Sequence, residues 1–178
     1  MIFDIHNQAK RISEEVITSC VKNVGVSRDT ISELSTIAKK TSRGRVRLCA
    51  HRDTNEIVHE MFIVHPRGAY IPPHKHLAKS ESILVIEGET EYFTFRDDGA
   101  VKQRISMGDY RSGKSFFFRL QEPLFHSMLI LSETLTFLEI TKGPFNPNDT
   151  VEAGWAPNKN SDPQVSQFLK NLSRLCEG

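Results

Sequence analysis

Residues 68–88 read GAYIPPHKHLAKSESILVIEG, and the spacing of their polar residues is that of a metal site on a sheet. His74 and His76 stand two apart, so on a strand both imidazoles point to the same face, as two ligands of one ion must. Glu81 follows a short loop and offers a carboxylate from the next strand, while Gly88 lets the chain turn out of it. An isolated His-x-His after a Pro-Pro pair is often only a surface turn. Here the flanking glycines, Glu81 and the β-rich surroundings argue for ligands. A fourth ligand is expected from a separate strand, and His126, preceded by Pro123, is placed to give it. Three imidazoles and one carboxylate suit one divalent ion of iron, manganese, nickel, cobalt or zinc, and the ligand types do not choose among these.

The surrounding sequence supplies the strands. From Arg45 to about Thr141, short runs rich in Val, Ile, Phe and Tyr are punctuated by Gly, Pro and Asp, which predicts many short strands in a sandwich or barrel. Asp98-Gly99 reads as the turn of a hairpin joining 91–96 to 101–105. Before this region the pattern reads as helical. Val16, Ile17, Cys20, Val21 and Val24 suggest a helix over about 13–23, and Asp29 is a candidate N-cap for a second helix carrying Ile31, Leu34, Ile37 and Ala38. After it, 142–159 holds three prolines and two glycines and reads as irregular. Asp162-Pro163 then opens a terminal helix with an apolar stripe of Val165, Phe168, Leu169, Leu172 and Leu175. The expected division is 1–44 as a helical extension, 45–159 as the barrel with its loop, and 160–178 as the terminal helix, all in one domain.

The 178 residues, 38% hydrophobic and 25% charged, suffice for one core. With 23 basic against 22 acidic residues and a net charge of +1, the sequence has no electrostatic footprint for nucleic acid or an anionic membrane. No apolar run approaches the ~20 residues of a bilayer span. The N-terminus lacks the pattern of a secretory signal. Three scattered cysteines suggest a reducing compartment, so a cytoplasmic protein is expected.

The metal motif matches the first motif of the cupin superfamily at each defining position, and Pro123 to His126 resembles the second, without the usual glycine between them or the asparagine after. Arg43 to His51, His59-Glu60-Met61, Pro73 to His76, Lys79 to Ser82, Glu87-Gly88, Gly143-Pro144-Phe145 and Trp155-Ala-Pro157 together resemble the WbuC family of cupin-fold metalloproteins. That resemblance implies a mainly β fold, the double-stranded β-helix or jelly-roll barrel, with N-terminal helices and a C-terminal helix. It also implies a bacterial protein of O-antigen or other surface-polysaccharide loci, and a possible homodimer.

Around the metal motif, Arg45, Arg47, Cys49 and His51 alternate with Val46, Leu48 and Ala50, giving one polar and one apolar strand face. If 53–56 forms the turn to the next strand, Glu60 falls opposite Cys49 on the polar face. That face either looks into the barrel cavity or forms a solvent-facing Arg–Glu ladder. In the first case the terminal helices cover the apolar face, Glu60 or His51 is the candidate general base, and Arg45 and Arg47 bind an anionic small molecule. Cys49 reads as a packed thiol. Trp155 either caps the cavity or anchors its loop. The expected function is a metal-dependent isomerase, epimerase or lyase acting on an anionic sugar-type metabolite, with oxygen chemistry on iron also open. The alternative is a non-catalytic sugar-binding or regulatory cupin.

Overall fold

The computed structural model describes residues 3–177; positions 1, 2 and 178 of the expected terminal segments lie outside them. A short helix α1 (Ile5–Gln8) leads into strands β1 (Ala9–Arg11) and β2 (Val16–Ser19), then helix α2 (Arg28–Ala38). The barrel strands are β3 (Val46–Cys49), β4 (Val58–Pro66), β5 (His74–His76), β6 (Glu81–Glu87), β7 (Glu89–Phe95), β8 (Val101–Gly108), β9 (Phe117–Leu120), β10 (Phe125–Ile130) and β11 (Thr134–Lys142). A 3₁₀ turn (Pro147–Asp149), strand β12 (Thr150–Glu152) and helix α3 (Asp162–Arg174) complete the chain.

The strands form two sheets, of order β1-β2-β3-β4-β11-β6-β9 and β12-β5-β10-β7-β8. Within them β7 pairs with β8, β6 with β9, β5 with β10 and β4 with β11, all antiparallel. This nesting is a single long hairpin, tipped at Asp98-Gly99, wound across two facing sheets, and it is the jelly-roll of the cupin fold. Gly99 takes φ +88° in the tip. Gly88, at φ +93°, joins β6 to β7 as the chain crosses from one sheet to the other, a conformation that glycine adopts without cost.

Alternation along the strands divides the apolar residues into three layers. Met61, Ile63, Ile83, Val85, Tyr92, Met128, Ile130 and Phe137 meet between the sheets. On the outside of the larger sheet, Ile31, Leu34 and Ala38 of α2 pack on Val46, Leu48 and Val64. On the outside of the smaller, Phe168, Leu169 and Leu172 of α3 pack with Phe93, Phe95, Phe125 and Leu129. Strand β10 is buried at every position because it is covered on both faces. The terminal helices therefore cover opposite sheets, and only the N-terminal one covers the apolar face of β3.

The region expected to be helical over 13–23 is instead built around β2, which pairs in parallel with β3. Val16, Ile17 and Thr18 are all β-branched, which favours a strand, and the edge of β3 gives that strand a partner. Helix α2 makes the crossover between them. It begins earlier than Asp29 implied: Ser27 is the N-cap, and its hydroxyl and that of Thr30 each accept from the other's backbone N–H. The 142–159 segment, expected to be irregular, contains β12, which pairs with β5. No helix among the described residues is long and apolar enough to cross a membrane.

Candidate metal centre and cavity

His74 and His76 project from β5, and His126 sits directly opposite His74 on β10. Glu81 opens β6 in the other sheet, so three imidazoles from one layer meet a carboxylate from the other. One ligand atom from each of the four residues lies within 4.8 Å of the rest. The His74 and His126 rings are 4.3 Å apart between centroids, and His76 is 5.2 and 5.3 Å from them.

Each imidazole is held from behind. His74 Nδ1 lies 2.9 Å from Pro72 O, His126 Nδ1 3.0 Å from Leu124 O, and His76 Nδ1 3.1 Å from Thr150 Oγ1. With Nδ1–H donating outward, Nε2 carries the lone pair that faces inward, the arrangement outer partners impose on metal-ligating histidines. His76 Nε2 lies 3.1 Å from Glu81 Oε2, and the Tyr92 hydroxyl donates to Glu81 Oε1 at 3.3 Å. His126 Nε2 is buried, with Glu81 Oε1 at 3.6 Å and no contact short enough for a hydrogen bond among the described residues. An orphaned ring nitrogen in such a place is costly unless a cation takes its lone pair. The four side chains therefore fit a divalent ion and could hold one.

The electrostatics of the cluster favour positive charge. Burial works against ionised Glu81, but the imidazoles of His126, His76 and His74 outweigh it and hold the carboxyl well below its usual range. Burial pulls the His74 imidazole down to about 4, with the neighbouring His126 adding to the effect, so it is a neutral donor at pH 7. For His126, burial also works downward, but the Glu81 carboxylate beside it prevails and the net direction is up.

The registers of β2, β3, β4, β11 and β6 set side chains in rows across the inner face of the larger sheet. In the row that ends on the Glu81 carboxylate, His59, Thr141 and Glu81 follow one another across β4, β11 and β6, with His51, just past β3, stacked on His59. The next row is Thr18, Cys49, Met61, Glu139 and Ile83, and the one beyond it is Val16, Arg47, Ile63, Phe137 and Val85. Most of the polar members line a cavity of about 550 Å³, which His76, Lys79 and Phe145 also border. The polar face of β3 thus looks into a cavity.

Glu60 does not share that face. Cys49 pairs with Met61, one residue away from the expected register, and a slip of one residue sends a side chain to the opposite face. Glu60 is exposed and does not line the cavity; only its backbone is involved, its N–H lying 3.1 Å from His51 Nδ1. The place opposite His51 belongs to His59, whose ring stacks on it at 4.2 Å and whose Nε2 is buried without a partner. Arg45 is drawn away from the cavity by Glu15, 2.7 Å from its Nε, while Arg43 grips the same carboxylate through Nε and Nη2. Among the described residues the Arg47 guanidinium has the Met61 sulfur, at 4.0 Å, as its side-chain partner; it faces the cavity without a carboxylate in ion-pair contact, its charge acting on Glu139 from further off. Burial raises the Cys49 thiol pKa, as a packed thiol requires. Trp155 packs against Phe95 and Phe125, at 5.3 and 5.8 Å, anchoring its loop outside the cavity.

Two residues that bear on the site had no distinct signal in the sequence. Glu139 lies between Met61 and Ile83 in the sheet, lines the cavity, and has no hydrogen-bond partner among the described residues. Burial, then the charge of Glu81, pushes its carboxyl up to about 8. Its sole cue was a charged residue inside the apolar run of β11. Thr150 holds His76 from β12, a strand hidden among the prolines that surround it.

A family model described as a domain of unknown function, DUF6016, matches residues 26–107. No curated protein matches the chain. Among solved structures, oxalate decarboxylase from Bacillus subtilis is 22% identical with a TM-score of 0.45, over 55% of this chain and 24% of that one. The capsular polysaccharide assembling protein CapF from Staphylococcus aureus is 15% identical with a TM-score of 0.47, over 61% and 28%. Procruciferin, an 11S globulin of Brassica napus, is 11% identical with a TM-score of 0.41, over 49% and 21%. The matched region spans less than a third of each of these solved chains. The fold assignment accordingly rests on strand order and register.

Proposed function

We propose that the protein is a metal-dependent enzyme acting on a small anionic metabolite, with one divalent ion at His74, His76, Glu81 and His126. The observation that carries this reading is the set of three imidazoles whose Nδ1 atoms are engaged outward, at the end of an open cavity bordered by His76. A bound ion would supply Lewis acidity toward a carbonyl or hydroxyl oxygen, which suits isomerisation, epimerisation or elimination. Arg47 offers an uncommitted guanidinium fork to a phosphate or carboxylate. Of the groups able to move a proton, His59 and Glu139 lie nearer to Glu81 than His51 does, by one strand and two. Glu139, beside Glu81 in the sheet and lining the cavity, could serve as an acid or, once an ion neutralises Glu81, as a base. A sugar-type substrate and a role in surface-polysaccharide (O-antigen) biosynthesis are supported by the resemblance of the sequence to the WbuC family.

Elemental analysis of protein purified without chelator tests the first step, and a screen with sugar phosphates and nucleotide sugars tests the second. Water-proton relaxation on the manganese-loaded protein separates catalysis from a purely structural ion. An exchangeable water on the ion is expected; a closed coordination shell would favour the non-catalytic reading.

A further inference from the structure

We infer that the ligand of this cavity is an extended amphipathic anion, with its phosphate or carboxylate on Arg47 and an apolar arm against Ile12 and Val16. The inference rests on the proposed anion-binding role of Arg47 and adds the length and the apolar character of what binds there. Glu81 is on β6 and Arg47 on β3, three strand spacings apart, or roughly 14 Å across the sheet. Arg47 also lies two rows further along the strands. Even with its long side chain turned toward the ion, a two- or three-carbon acid seated on the metal would not reach it.

Beyond Arg47 the wall changes character. Its cross-strand neighbour is Val16, and the turn between β1 and β2 brings Ile12 to the rim of the cavity with 58% of its surface exposed. Phe145 stands at the rim as well, 56% exposed. Apolar side chains left facing solvent around a cavity are what an apolar substituent would cover. The turn bearing Ile12 is also held in place. Glu15 is clamped by Arg43 and Arg45, and the Glu14 carboxylate accepts from the Ser42 hydroxyl at 3.0 Å. A turn fixed this way forms a built wall rather than a loose flap, and it gives Arg43 and Arg45 a positioning role in place of direct ligand contact.

The test is calorimetric titration of the cobalt-loaded full chain with inorganic phosphate, methyl phosphate and n-butyl phosphate. If the arm is buried against Ile12 and Val16, affinity rises by roughly fourfold per methylene, making butyl phosphate up to about 60-fold tighter than methyl phosphate. Ile12→Ser, on an exposed turn, should cut that ratio to a few-fold while leaving inorganic phosphate unchanged. Arg47→Ala should weaken all three probes and preserve the ratio. A ratio near one in the wild type, or one unaffected by Ile12→Ser, overturns the apolar arm while the anion site stands. Failure of every probe, inorganic phosphate included, overturns the anion site itself and the arm with it.

Discussion

Replacing Glu139 by glutamine in the metal-free protein isolates the energetic cost of a carboxyl held in the barrel beside Glu81. In the unfolded chain this carboxyl ionises near its ordinary value of 4.5, whereas in the fold burial and the charge of Glu81 delay ionisation to about 8. Between those values the unfolded state has released a proton that the folded state still binds, so this group lowers stability as pH rises. At ~1.4 kcal/mol per pK unit, the loss grows by about 3 kcal/mol between pH 5.5 and 8.5, an upper value because nearby titrations share it. Glutamine does not ionise, so Glu139→Gln should gain on the wild type by up to that amount over the same interval. Urea denaturation of both proteins with chelator present, at the two pH values, measures the difference. A gap that is constant or narrows toward pH 8.5 would refute the reasoning, because Glu139 would then be ionised in the fold at both. Adding the divalent ion should shrink the pH-dependent gap, since a cation near Glu81 favours the charged form of its neighbour.

Four further outcomes are expected. His74→Ala should abolish tight metal binding by elemental analysis, and Thr150→Val, which removes only the partner of His76 Nδ1, should weaken affinity by about 10- to 100-fold in a competition titration against a chelator. Gly88→Ala places a Cβ 2.4 Å from the Thr134 carbonyl oxygen at φ +93°, so denaturation should show a loss of at least roughly 1–3 kcal/mol. For quaternary structure we propose a homodimer, which light scattering would report as twice 20.2 kDa; a mass of 20.2 kDa excludes it.

The metal cluster was legible in the sequence because three of its four residues come from a compact motif, within which the two-residue spacing of His74 and His76 has one meaning on a strand. The barrel was legible for a similar reason: the Asp98-Gly99 turn marks the tip from which all the nested pairs unwind. Cross-strand register was not. The link from β3 to β4 runs from residue 50 to 57, too long for turn chemistry to fix it, and a one-residue difference exchanged Glu60 for His59 and Met61 on the inner face. The strand β2 was hidden for another reason. Apolar residues at 16, 17, 20, 21 and 24 satisfy a helical period, and only the non-local edge of β3 decides for a strand. Glu15, likewise, reveals its hold on Arg43 and Arg45 only once β2 lies beside β3.

The division of ligands between the layers bears on how the barrel breathes. His74, His76 and His126 belong to the smaller sheet and Glu81 to the larger, and they meet at the end where the sheets part around the cavity. An ion held there would act as a rivet through both layers. Without it, the amides of β5 and β6 can exchange with solvent through local separation of the two sheets. With it, that opening requires breaking a coordination bond, and exchange at this end falls into step with the deep core around Tyr92 and Phe137.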